Sequence, residues 1–237
     1  TINAWIGGGT VFLELGGALL ADEGKFRRVV AALQPNRLGA VLGRGAAAPR
    51  AALVCISVAD LQAAGAGEPL AALARGLRDR LQLLSQRLGV RVPVYVLLTK
   101  ADRIAHFEPF VRPLTSEEVR APLGMTLPWD DGPIGTYPER LGNRLARGWD
   151  RMVTALGERR LDLLWRNAGQ ATDSISAYEF PREVQKIGGL VAEFLVELCR
   201  PSQLAASPVL RGVYLTGVRP TTADERAAAV APAAAPA

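Results

Sequence analysis

The chain has 237 residues, of which 49% are hydrophobic, enough for one sizeable core. Its net charge is +5, and all but three of its 28 basic residues (Lys25, Lys100 and Lys186) are arginine. The arginines alternate with acids along helical stretches and have few aromatics among them, which argues against a nucleic-acid surface. No run approaches the ~18–20 apolar residues of a membrane-spanning helix, and the opening Thr1-Ile2-Asn3 has neither the basic start nor the apolar run of a signal peptide.

In chain order, the first strand is expected at Val11-Phe12-Leu13-Glu14-Leu15, ending at Gly16-Gly17. Gly7-Gly8-Gly9 precedes it and reads as a turn. The second strand is Ala51 to Val58, the third Val92 to Leu98 and the fourth Leu210 to Leu215. The second and third are almost continuously apolar, the pattern of parallel strands covered on both faces. Cys55, in the middle of the second, is therefore expected to be buried and reduced, and Cys199 sits in a second apolar run. His106 is the single histidine and has no metal-ligand spacing around it.

Leu70, Leu73, Leu77, Leu81, Leu84 and Leu88 recur at spacings of three and four, predicting a helix that Gly89 closes. With its flanking strands it makes a βαβ unit. Residues 103–207 are expected to be helical and to contain no strand. One stripe is Leu141, Leu145, Trp149, Met152, Val153 and Leu156; another runs from Phe180 through Val184, Ile187, Val191 and Phe194 to Leu198, before Pro201. Trp129 to Gly135 reads as an exposed loop. The expected organisation is an α/β core over 1–102 and 208–219, a helical extension over 103–207 inserted before the last strand, and an Ala/Pro-rich linker or disordered tail over 220–237.

The third strand runs into Thr99-Lys100-Ala101-Asp102. In P-loop GTPase-type proteins [NT]-K-x-D follows a strand in this way, since an Asp at the carboxyl end of a parallel strand can accept hydrogen bonds from a guanine edge while the Lys stem covers the base. The plain alternative is that Thr99 and Asp102 cap the helix that follows. Glu14 and Gly17 stand where such proteins carry Asp-x-x-Gly, and Thr216-Gly217 follows the last strand where they place a small-residue loop. The order predicts a mostly parallel sheet with P-loop GTPase-like topology and a vestigial nucleotide site at Thr99, Lys100, Asp102, Glu14, Gly17 and Thr216. Glu14 would misplace its carboxylate for Mg²⁺, and no G-x-x-x-x-G-K-[ST] occurs in the chain. No cofactor is expected here; GTP or ATP enters only if a phosphate-binding loop lies upstream.

The run Ile56-Ser57-Val58-Ala59-Asp60-Leu61, the block from Arg87 to Asp102, and Gly124-Met125-Thr126-Leu127-Pro128, Tyr178 to Glu183 and Leu210 to Thr216, in that order, resemble the IcmF/TssM family of type VI secretion. The resemblance covers about residues 1 to 219. It implies the cytosolic GTPase-like domain of a membrane-anchored inner-membrane protein, which contacts the DotU/TssL-type cytosolic domain and the baseplate. Where family members often read Asp-Thr-Ala-Gly-Arg-Tyr, this chain has Glu14-Leu15-Gly16-Gly17-Ala18-Leu19, pointing to decayed nucleotide chemistry. The function expected is a scaffold whose helical block meets partners through Trp129 and one helix stripe, Arg140, Arg144, Arg147 and Arg151. The enzymatic alternative is an NTPase with its phosphate loop upstream, and the alternative for the stripe is a solvated face.

Overall fold

The computed structural model describes residues 1–8, 10–34, 51–129, 132–166, 171–202 and 207–219, with only the backbone at 171–174. The expected tail over 220–237, Gly9 and the pair Asp130-Asp131 lie outside the described residues.

β1 (Ile2–Gly7) and β2 (Thr10–Leu15) form an antiparallel hairpin in which Gly7 faces Thr10. Gly8 lies at φ +56°, the left-handed backbone that a two-residue hairpin loop demands. The chain then enters α1 (Gly17–Ala21) and α2 (Glu23–Ala32). Asp22 caps α2 by accepting a hydrogen bond from the Lys25 amide. α2 buries Phe26 and Val30, which join Leu15 and Leu19 in a small satellite core.

The main sheet begins with β3 (Ala52–Ser57), followed by α3 (Val58–Gln62), α4 (Gly67–Leu88) and β4 (Pro93–Thr99). α4 stops at Gly89, whose φ of +68° supplies the left-handed cap. α5 (Phe107–Val111) and α6 (Ser116–Arg120) lead to β5 (Leu123–Thr126). α7 (Tyr137–Glu158), α8 (Arg160–Arg166) and α9 (Ala171–Leu198) precede the last strand, β6 (Val209–Leu215). The strand order is β3-β4-β6-β5, with the first three parallel and β5 antiparallel to β6.

The core lies between one face of this sheet and a helical layer. Val54, Ile56, Val94, Val96, Leu98 and Val213 point into it, as period-two alternation requires. α4 contributes Leu70, Ala74 and Leu81, and the predicted stripes of α7 and α9 supply most of the rest. α7 and α9 approach closely where Trp149 lies over Gly188, a position at which any Cβ would strike the indole. The Trp149 indole N–H donates to the Val184 carbonyl at 3.1 Å.

Three expectations are corrected. The strand carrying Leu13 and Glu14 is not in the parallel sheet: β2 pairs with β1 alone among the described residues. Residues 103–207 do contain a strand, β5, and it joins the sheet. Cys55 is exposed, not buried, while Cys199 is buried as expected. β3 is an edge strand whose Val54 and Ile56 enter the core, whereas Leu53 and Cys55 point to the opposite face, which lacks a covering layer among the described residues. A continuous apolar run therefore accompanies a strand covered on one face.

Candidate functional site

At the carboxyl ends of the parallel strands, four of the six predicted residues lie together: Thr99, Lys100, Asp102 and Thr216. Parallel pairing sets the end of β4 beside that of β6, with Leu98 opposite Leu215. The Thr216 amide donates to the Leu98 carbonyl and the Ala101 amide donates to the Thr216 carbonyl, each at 2.9 Å. The Val218 amide donates to the Asp102 carboxylate at 3.0 Å. The Thr99 hydroxyl donates to the Ile56 carbonyl at 3.1 Å, tying β4 to β3. Neither Thr99 nor Asp102 caps the short turn of helix that follows, so the capping alternative is also set aside. Lys100 is exposed and sits at φ 59°. Gly217 packs so tightly on the Asp102 amide and Phe107 that a Cβ there would meet both at 2.8 Å.

Glu14 and Gly17 are not assembled with these residues. Glu14 lies on the hairpin and accepts a hydrogen bond from the Asn3 side-chain amide, and Gly17 opens α1 behind Gly16.

The amino ends of the strands carry a different arrangement. Trp129 is 43% exposed. The guanidinium of Arg91, just before β4, lies 5.0 Å from its ring centre, and that of Arg211, in β6, lies 5.8 Å away. These are cation–π distances. Arg144 donates to the Pro128 carbonyl beside Trp129. Arg140 donates to the Pro133 carbonyl and, at 2.6 Å, to the Thr136 hydroxyl. α7 thus holds the 128–136 loop through two of the four arginines of its stripe. Arg147 and Arg151 are exposed further along the same face, and Arg147 donates to the Asn143 carbonyl. A cavity of about 300 Å³ opens at this end, lined by Arg91, Arg140, Arg144, Tyr137 and Pro201 among others.

The structure therefore brings Trp129 together with Arg140 and Arg144 and leaves Arg147 and Arg151 as an outer extension. Sequence reasoning missed Arg91 and Arg211. Parallel pairing of Pro93 with Val209 puts both at the same end of neighbouring strands, a consequence that could be read once the two strands are recognised as parallel neighbours.

α8 is tied to α6 by a separate charged cluster. Arg159 and Arg166 both donate to Glu118, which also completes a capping box with Thr115. Hydrogen bonds from Arg166, then from the Thr115 backbone, hold the Glu118 carboxyl down to about 2. Among the described residues no group of His, Cys, Asp and Glu side chains is placed to hold a metal, and no helix is long and apolar enough to cross a membrane.

Fold and sites together define an α/β protein with a mostly parallel sheet, a helical layer on one face and an arginine-framed tryptophan loop at the amino ends of its strands. The profile of the IcmF-related N-terminal domain matches residues 44–236, and the chain belongs to that family. It is 33% identical over 165 residues to the type VI secretion system component TssM1 of Pseudomonas aeruginosa. That match covers 70% of this chain and 14% of TssM1, so the chain spans a small part of its relative's length. No solved structure matches the chain.

Proposed function

We propose that this chain is a structural and interaction module of the type VI secretion membrane complex. In this reading it stands at the cytoplasmic face of the bacterial inner membrane and docks cytosolic partners: the DotU/TssL-type cytosolic domain and baseplate components. The GTPase-like core is degenerate and serves as a rigid platform. The docking surface is the loop carrying Trp129 together with the α7 face that ends in Arg147 and Arg151.

One observation carries this reading. The carboxylate that would read a base, Asp102, accepts the Val218 amide and so fastens two loops of the platform. At the other end of the strands an exposed tryptophan is framed by guanidinium groups, and Trp and Arg are the residue types in which interfaces concentrate binding energy.

The experiment is co-purification of the chain with a DotU/TssL-type cytosolic domain, beside a phosphate-release assay with GTP and ATP. Binding without phosphate release is the expected result. Phosphate release above a heat-inactivated control, abolished by Lys100→Ala or Asp102→Ala, would instead support the NTPase reading.

A further inference from the structure

The carboxyl ends of the strands carry a second feature besides the Thr99–Asp102 motif. α9 has 28 residues, a length of about 42 Å. It leads back to the amino end of β6, so its first turns stand at the carboxyl ends of the strands. There the His106 Nδ1 lies 3.1 Å from the Ser176 hydroxyl, and the Phe110 and Phe180 ring centres are 4.7 Å apart. α8 meets α9 at this end, where the Arg160 guanidinium lies 4.8 Å from the Tyr178 ring centre. α8 and the first turns of α9 together form a helical tip.

This tip is apolar on its outer side as well as its inner one. Four of the seven residues of α8 are apolar: Leu161, Leu163, Leu164 and Trp165. Leu163 and Leu164 pack in the core. Leu161 and Trp165, one turn apart, are 67% and 82% exposed. On α9, Ile175 and Tyr178 are spaced in the same way and are 58% and 45% exposed. A helix that is apolar all round is at home only where its second side also meets an apolar medium, and exposed apolar residues gathered in one place mark a docking surface. Arg159, Arg160 and Arg166 border the tip and meet two carboxylates, Glu118 and Asp162. Arginine stems of this length keep their guanidinium groups in water while their neighbours enter an apolar layer.

The tip also stands where the chain leaves the sheet. β6 ends at Leu215, and the Arg219 guanidinium beyond it donates to the Leu114 carbonyl at 2.7 Å. Arg166, beside Trp165, donates to the adjacent Pro113 carbonyl at 3.4 Å. One loop therefore holds both the end of α8 and the segment that follows the last strand. The Trp129 surface lies at the opposite ends of the strands.

We propose that the α8–α9 tip is a peripheral membrane contact: Leu161, Trp165, Ile175 and Tyr178 seat in the interfacial layer of a lipid bilayer, with the bordering arginines at the level of the headgroups. Trp and Tyr gather at the boundary between water and lipid, and short apolar helix faces flanked by arginine lie in that plane. The inference rests on the reading above that the chain stands at the cytoplasmic face of the inner membrane. It adds an orientation to that reading. The carboxyl ends of the strands, with the segment that follows β6, turn towards the bilayer, and the Trp129 surface turns towards the cytosol.

The test is flotation of the 237-residue chain with vesicles of phosphatidylethanolamine and phosphatidylglycerol. The wild-type chain should float with the vesicles. Leu161→Ser with Trp165→Ser should weaken the partition by about ten-fold or more, with an unchanged circular-dichroism melt, while Trp129→Ala should float as wild type. Vesicles carrying brominated lipid give a second reading. They should quench the chain's tryptophan fluorescence, and Trp165→Phe, which keeps an apolar ring at the tip, should still float but lose the quenching. No flotation of the wild type overturns the proposal. So does flotation that the double variant keeps, flotation that Trp129→Ala abolishes, or quenching that survives Trp165→Phe. Self-association that the double variant abolishes, in a chain that does not float, would assign the tip to a second copy. Co-purification with the DotU/TssL-type domain is measured on the same variants. Binding of that domain without flotation would sink this inference alone and leave the docking reading standing.

Discussion

At the carboxyl ends of β4 and β6, polar groups satisfy one another: Thr216 bonds Leu98 and Ala101, Asp102 bonds Val218, and Thr99 bonds Ile56. At the amino ends, the polar groups surround an exposed aromatic and a cavity, with Arg91 and Arg211 against Trp129 and Arg144 holding its loop. In open parallel sheets the carboxyl ends are where ligands bind. Here the exposed aromatic and the guanidinium groups have gathered at the other end. The contrast is between a strand-end motif whose polar groups hold the platform together and a loop whose tryptophan stays exposed among guanidinium groups.

The largest effect should come from the seam that supports the amino-end surface. Trp149 is buried between α7 and α9 and donates to Val184. Trp149→Ala should cost about 3–5 kcal/mol in urea unfolding. A cost under about 1 kcal/mol would mean that α7 is held elsewhere, and would break the link between this seam and the Trp129 loop.

A sharper test applies to the carboxyl end. If Asp102 only accepts the Val218 amide, Asp102→Ala should cost about 0.5–1.5 kcal/mol, whereas Asp102→Asn, which keeps an accepting oxygen, should be close to neutral. A carboxylate that reads a guanine edge behaves differently, because the amide puts donors where acceptors are needed. Equal stability losses for Ala and Asn would contradict the architectural role. Binding of a fluorescent guanine nucleotide that Asp102→Asn abolishes would restore a ligand site at this end.

How much of this was legible follows the range of each signal. The helical stripes of α4, α7 and α9 were readable because burial of one helix face leaves a 3.6-residue period in the sequence itself. β3, β4 and β6 were readable as apolar runs, and Thr99 to Asp102 as a strand-end motif. Sheet membership was not, because pairing is decided by a distant neighbour: nothing in Val11 to Leu15 says that, among the described residues, β2 pairs with β1 alone. β5 is four residues long and contains Gly124, a weak strand signal. The glycine is needed because a Cβ there would lie 2.3 Å from the Val213 carbonyl oxygen. Cys55 was misjudged for the same non-local reason, since an apolar run does not reveal whether both faces are covered. The Trp129 loop was visible as turn-forming residues, but its guanidinium neighbours Arg91 and Arg211 meet it only through tertiary packing.

A smaller effect concerns acid. The Glu118 carboxyl titrates at about 2 in the folded chain, below the ordinary 4.5, because Arg166 and the Thr115 backbone hydrogen-bond its charged form. A folded value below the unfolded one gives stabilisation that is fully present above about 4.5 and is lost as pH falls towards about 2. Glu118→Gln should therefore lower the urea midpoint modestly at neutral pH, and the difference from wild type should vanish near the acid end of that window. A difference that stays constant across it would remove the ion cluster as its cause.

The most direct measurement compares the two ends in one binding assay. Affinity for the DotU/TssL-type cytosolic domain is measured for Trp129→Ala, for Arg147→Glu with Arg151→Glu, and for Lys100→Ala, each beside a circular-dichroism melt. The Trp129 and paired arginine variants should bind about ten-fold or more weakly, and Lys100→Ala should bind as wild type. The paired arginine variant and Lys100→Ala should each move stability by less than about 0.5 kcal/mol, and Trp129→Ala, which loses its contacts with Arg91 and Arg211, by about 0.5–1 kcal/mol. Unchanged binding by the first two with loss on Lys100→Ala would place the interface at the carboxyl ends of the strands and contradict the account.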